Sequence, residues 1–397
     1  MTEDDPLLAF RDRFPILATT NYLISNSLGA MPEAAREALG VYAETWATRG
    51  VRAWEEGWWT LAADLGDLVA PLIGANSGEV VFQPCVTLAH AILFSAFDFT
   101  SGRNHVVTDA LHFPSVLYLL HGLRNHGAEV ITVPSDDGVT IDAGRIIDAI
   151  SDRTAFVNIS HVLFKSAYIQ DVDAICAKAR EVGAITIIDG YQSVGAIPVD
   201  VRASGIDIYI GGCLKWLCGG PGVAFLWVRP DLVGGLAPSL TGWMSHARPF
   251  AFEPAHDPRA DAWRYLVGTP SVPSLYAARP GLEIIHEVGV AAIRAKSMRQ
   301  TAMLIELARS RGFRVTSPDD PARRGGTVAI DVANGLWVSR ALKARQVLCD
   351  YRPGAGIRLS PHFYTRDDEL AEAIDAIGEI VRDRSWESFA VGTSAVT

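Results

Sequence analysis

The chain has 397 residues, enough for two domains, and its 49% hydrophobic and 20% charged residues match a folded enzyme rather than a disordered segment. A formal net charge of −10, with no basic patch interleaved with aromatics, argues against a nucleic-acid or anionic-membrane partner. The five cysteines are odd in number and sit in apolar contexts or beside a lysine, which speaks against a disulfide framework and for a reducing cytoplasm. Cys213 and Cys218 lack CxxC spacing and the ten histidines include no HExxH, so no metal is expected. The acidic start Met1-Thr2-Glu3-Asp4-Asp5-Pro6 precedes no apolar stretch of signal-peptide length, and apolar runs such as Val80-Val81-Phe82 are too short to span a bilayer.

Residues 1–55 are expected to contribute the N-terminal part of a small domain. Trp46, Trp54, Trp58 and Trp59 crowd this stretch and its border, suiting a core, an aromatic-substrate pocket or an oligomer interface. From 56 to 280 short β-branched runs alternate with amphipathic stretches. Strands are expected at 80–83, 105–109, 129–133, 154–159, 185–189, 206–211 and 223–228, and helices at 88–99, 115–127, 143–149 and 172–182. Such alternation specifies βαβ units: an α/β domain with a mostly parallel seven-stranded sheet flanked by helices, where ligands collect at the carboxyl ends of strands. From 281 to 397 a long helix (282–311), a strand (326–332), a helix (336–345), a short strand (356–359) and a last helix (367–383) read as a small α+β domain.

Chemistry concentrates at the strand ends. In Phe82-Gln83-Pro84-Cys85-Val86-Thr87 a strand gives way to a helix that Thr87 can N-cap, leaving backbone N–H groups for a phosphate. Phe113 follows the next strand and can stack on a flat ring or join the core. The run Ala184-Ile185-Thr186-Ile187-Ile188 ends in Asp189, a carboxylate at a buried strand's end, and Gln192 follows three positions later.

Lys215 lies in Cys213-Leu214-Lys215-Trp216-Leu217-Cys218-Gly219-Gly220-Pro221-Gly222, among apolar side chains that strip water from its amine and lower its pKa toward that of a nucleophile. The nearby glycines lack GxGxxG spacing and suggest no dinucleotide. A strand-end acid with a lysine on a later turn is the arrangement a pyridoxal phosphate site needs. The carboxylate keeps the pyridine nitrogen protonated, Gln192 reaches the phenolic oxygen, and the lysine holds the aldehyde as an imine. Near the C-terminus Arg358, between Ile357 and Leu359, suits the α-carboxylate of an amino acid, the alternative being an internal pair with Asp350.

These residues resemble the class V branch of the fold type I pyridoxal phosphate enzymes, and within it the kynureninases. The resemblance runs nearly the whole length, through Asn26-Ser27-Leu28-Gly29, Phe113-Pro114-Ser115, Ser160-His161-Val162, Asp189, Lys215 with Gly219-Gly220-Pro221-Gly222, Gly242-Trp243, Gly268-Thr269-Pro270 and Arg352-Pro353 leading to Gly356-Ile357-Arg358. Kynureninases cleave the Cβ–Cγ bond of kynurenine with water, giving anthranilate and alanine.

The resemblance implies Lys215 as imine lysine and Asp189 as pyridinium partner, with Val86, Thr87, Phe113, Ser160 and Gln192 around the cofactor and Asn26, Trp46 and Arg358 toward the substrate. It further implies a homodimer with shared active sites, in which Trp243 and Thr269 reach across to the neighbouring site. Three positions depart from kynureninases: Leu214 replaces a tyrosine immediately before the lysine, Val116 an aspartate, and Gln192 a histidine. A hydroxyl near Lys215 would have to come from elsewhere, Tyr191 or Tyr364 being the candidates. The expected activity is kynureninase-like hydrolytic cleavage, the alternatives a β-eliminating C–S lyase or desulfurase, or an aminotransferase.

Overall fold

The computed structural model describes residues 5–390. The apolar runs assemble into one seven-stranded sheet in the order Val80–Gln83, Ala224–Val228, Ile208–Gly212, Ile185–Asp189, Thr154–Ser160, His105–Asp109, Glu129–Val133. Ala224–Val228 is antiparallel to both neighbours and every other strand runs one way, which makes the mostly parallel sheet that the alternation specified. The central strands are apolar on both faces because helices cover both. Val107, Val157, Ile159 and Ile188 share one core with Val172, Ile175 and Ala179 of the helix Val172–Glu181. Their chain neighbours Val106, Phe156 and Ile187 join Ala89, Ile92 and Val116 from the helices Val86–Phe94 and Pro114–Leu123 on the other face. The period-two split of side chains is visible directly in these two clusters.

A second sheet of four antiparallel strands runs in the order Asp350–Arg352, Gly356–Leu359, Val328–Asp331, Arg314–Val315. Leu304, Leu342 and Ile374 from the helices Val290–Ser310, Gly335–Ala344 and Asp367–Asp383 share its core. The N-terminal segment fastens to this region. Asn21–Tyr22 pairs in parallel with Val347–Leu348, and Arg11 meets Glu369 at 2.6 Å with both side chains largely enclosed.

The single long helix expected over 282–311 is instead two, Val272–Val288 and Val290–Ser310. They are broken at Gly289, whose φ of 81° is open to glycine and strained for other residues. The first of them packs along the helix Glu33–Arg49, an element not anticipated from the sequence. No helix among the described residues is long and apolar enough to cross a membrane.

Candidate active site

Parallel pairing brings the first polar groups together. Ser160 and Asp189 are register partners at the ends of adjacent strands, so both reach the carboxyl edge of the sheet. The next strand, Ile208–Gly212, runs into the turn that carries Lys215, and Gly29 N–H donates to Leu214 C=O at 2.9 Å, pinning that turn to the N-terminal segment. Between them lies a cavity of about 210 Å³. Its wall contains Val86, Thr87, Phe113, Ser160, Asp189, Gln192 and Lys215, all singled out from the sequence, together with Cys85, Phe164, Tyr191 and Leu214.

Lys215 Nζ lies 5.7 Å from the centroid of the Phe113 ring and 4.4 Å from that of Tyr191. Burial pushes the amine down to about 7, against the attraction of Asp189. The uncharged, nucleophilic form is therefore well populated near neutral pH. Burial likewise raises the Asp189 carboxyl, to about 6, opposed by the Tyr191 N–H and by Lys215. That N–H donates to Asp189 Oδ1 at 2.8 Å, while Oδ2 has no hydrogen bond among the described residues and is left for a cationic partner.

At the other end of the cavity the helix Val86–Phe94 begins, with Cys85 as its N-cap and no side-chain cap bond. Thr87 therefore sits in the first turn rather than capping it as expected, and the first-turn N–H groups lack intrahelical acceptors, as at any helix start. They and the positive end of the helix dipole offer an anion site next to the Thr87 hydroxyl.

Other expected residues fall differently. Gln192 lines the cavity and also ties the N-terminal segment to the lysine turn: Nε2 donates to Asn26 C=O at 2.9 Å and Oε1 accepts from Trp216 Nε1 at 3.0 Å, which leaves its second N–H uncommitted. Asn26 is buried with both amide atoms unpartnered. Trp46 is 63% exposed on the helix Glu33–Arg49, and Trp243 and Thr269 are exposed; none of the three lines the cavity within this chain. Trp243 stands in an aromatic group with Trp59, Phe250 and Phe252. Of the two candidate phenols, Tyr191 borders Lys215, whereas the Tyr364 hydroxyl is spent on Ser25 Oγ at 2.8 Å.

Arg358 takes the alternative course. Its Nε donates to Asp350 Oδ1 at 2.7 Å, Nη2 to Oδ2 and Nη1 to Phe164 C=O, because Asp350 and Arg358 are cross-strand partners in the antiparallel pair. The fork expected for a substrate carboxylate thus grips an internal one. Arg352 Nη2 reaches the same Asp350 Oδ2 at 3.0 Å, so two guanidinium groups share one carboxylate. Arg358→Lys, which cannot reproduce two parallel bonds, should lower unfolding stability by on the order of 1.5–3 kcal/mol, the cost of a charge-assisted bond in a buried setting. Urea titration checks this, and an unchanged midpoint would show that the pair contributes nothing to stability.

The cavity suits one substituted ring better than a dinucleotide, and its groups are ordered to match pyridoxal phosphate: an anion-binding helix start, an aromatic face at Phe113, an unpaired carboxylate oxygen at Asp189 and a poised amine at Lys215. A doubly covered, mostly parallel sheet with this lysine and acid at its carboxyl edge defines an α/β enzyme of the fold type I kind. The chain belongs to the aminotransferase class-V family, whose model matches residues 22–347. It is 35% identical over 395 residues to the kynureninase of Pseudomonas fluorescens, covering 96% of this chain and 94% of that one. Identity to the kynureninase of Burkholderia pseudomallei is 32% over 413 residues, covering 100% and 97%. Among solved structures, the apo cysteine desulfurase of Thermococcus onnurineus NA1 superposes with a TM-score of 0.84 at 19% identity over 96% of this chain and 99% of that one. The cystine C–S lyase C-DES in complex with its product cysteine persulfide gives 0.84 at 19% over 92% and 99%.

Proposed function

We propose that this class V, pyridoxal phosphate-dependent enzyme hydrolyses the Cβ–Cγ bond of a kynurenine-type amino acid. The observation that carries the reading is the full-length similarity to kynureninases at 35% identity, set on a cavity that holds Lys215 and Asp189 together. Bound pyridoxal phosphate supplies a ring that stores the electron pair released at the substrate Cα. Lys215 takes the Cα proton on Nζ, for which a pKa near 7 is well matched. Asp189 Oδ2 would hold a proton on the ring nitrogen, the first-turn N–H groups at Val86 and Thr87 would hold the phosphate, and Phe113 and Ser160 would line the ring's place in the cavity.

Arg358 binds the α-carboxylate by yielding part of its bond to Asp350, and the unpartnered Asn26 amide awaits a polar group of the substrate. Exposed Leu39, Val41 and Trp46 on the helix Glu33–Arg49, with Trp243 and Thr269, fit a homodimer whose subunits complete each other's sites. Five free thiols suit a reducing cytoplasm.

Leu214 on the cavity wall gives the second reading some weight. An aliphatic group there, next to Lys215, leaves β-elimination from a sulfur-bearing amino acid open to the same lysine. Incubation with L-kynurenine, read by anthranilate fluorescence, separates the two. The hydrolytic reading expects kcat/KM of roughly 10⁴ M⁻¹s⁻¹ or above. Pyruvate from β-chloro-L-alanine without anthranilate would replace it with elimination.

A further inference from the structure

Tyr191 has no role in the scheme above, yet three contacts build it into the reacting centre. Its backbone N–H holds Asp189 Oδ1 at 2.8 Å. Its ring is the nearest aromatic face to Lys215 Nζ, 4.4 Å against 5.7 Å for Phe113. The strand end leaves room for it: a Cβ on Gly212 would stand 2.3 Å from Tyr191 Cε2 and 2.7 Å from its hydroxyl oxygen, so no side chain fits at 212 while the phenol is there.

The hydroxyl itself makes no hydrogen bond to the described residues. Neighbouring phenols are committed, Tyr209 to Ser193 Oγ at 2.6 Å and Tyr364 to Ser25 Oγ at 2.8 Å. Ser160, also on the cavity wall, is engaged with His112 Nδ1 at 3.2 Å. Burial raises the Tyr191 phenol, which keeps it protonated at neutral pH. Tyr191 is half-buried on the cavity wall, so its uncommitted hydroxyl is available to a molecule that enters the cavity. A substrate carbon that exchanges a proton with Lys215 Nζ comes into the volume that the Tyr191 side chain borders.

We propose that Tyr191 is a catalytic residue whose phenol delivers the proton that Cβ receives as the Cβ–Cγ bond breaks. This rests on the hydrolytic reading above. Water oxygen bonds to the side-chain carbonyl carbon, the Cβ–Cγ electron pair passes to Cβ, and the Tyr191 O–H bond breaks as the Cβ–H bond forms. The proton released by the water restores the phenol. One water is consumed, one carboxylic acid and one methyl group are made, and nothing is oxidised or reduced.

Tyr191→Phe removes only the oxygen and keeps the ring on Lys215 and the N–H on Asp189. The thermal midpoint, the amount of cofactor that borohydride fixes on Lys215 and the deuterium exchange at Cα of L-alanine should match the parent protein. Anthranilate release should fall on the order of 10²–10⁴-fold, the scale of a lost general acid. Parent-like anthranilate release, or Cα exchange lost in parallel with it, overturns the assignment.

If the parent protein itself releases no anthranilate, the hydrolytic reading fails separately. Tyr191 is then judged on deuterium entering the methyl group of L-alanine, which needs a proton carrier at Cβ and no C–C cleavage. Methyl exchange present in the parent and lost in Tyr191→Phe upholds the donor. Exchange retained in the variant, or absent from the parent, overturns it.

Discussion

Lys215→Ala should abolish the covalent hold on pyridoxal phosphate and reduce turnover at least about 10⁴-fold, since the nucleophile that anchors the cofactor and the base at Cα are lost together. In the parent protein borohydride should fix the cofactor as a secondary amine on the Lys215 peptide, and in the variant no peptide should carry it. Lys165, whose Nζ lies 5.9 Å from the Phe164 ring near the cavity, is the internal control: a label there would reassign the anchor.

The pH dependence adds a second mark. Only the neutral amine attacks an aldehyde, and burial holds Lys215 down at about 7 rather than the 10.5 of an ordinary lysine. Attachment to the apoprotein should therefore rise as pH passes through about 7 and level off above it. A rate still climbing toward pH 10 would show that the amine is not desolvated as the cavity implies.

Asp189 and Lys215 were legible because their contradiction with the surroundings is local: an acid ending Ile185-Thr186-Ile187-Ile188 and an amine between Leu214 and Trp216 are visible without any tertiary contact. The strands were legible for the same reason, since a run buried on both faces is apolar throughout. The structural bonds of Gln192 were not legible, because its partners Asn26 and Trp216 are remote in sequence or on a later turn that only the fold brings near. Arg358 depended on register: the tight pair Asp350–Arg352 and Gly356–Leu359 sets Asp350 opposite it, a geometry that a turn of different length would have changed. The break at Gly289 was hidden because apolar residues continue in helical phase across it, and a glycine's φ leaves no trace in the pattern. Tyr191 was visible as a letter beside Asp189, but its place on Lys215 follows from the sheet bringing Gly212 underneath its ring.

Asp189→Asn should leave the protein folded and able to hold the cofactor while turnover falls on the order of 10²–10³-fold, the range seen when a preorganised electrostatic contact is removed. Asparagine keeps an oxygen for the Tyr191 N–H, so the substitution isolates the charge; alanine removes both and should be the more damaging. A carboxylate held beside the ring nitrogen would favour its protonated, electron-withdrawing form, and a neutral amide would not.

Stability should move the other way. Because burial raises the folded carboxyl to about 6 from 3.8, its contribution to folding of the apoprotein is full below pH 3.8 and lost as pH rises through 6, leaving a buried charge that opposes folding at neutrality. Asn carries no such charge, so the apo variant should melt at the same temperature or higher at pH 7 and should lose that pH dependence. A group retained for packing alone would show lower stability with activity preserved. Parent-like turnover in Asp189→Asn would mean that some other group protonates the ring, and would remove Asp189 from the site.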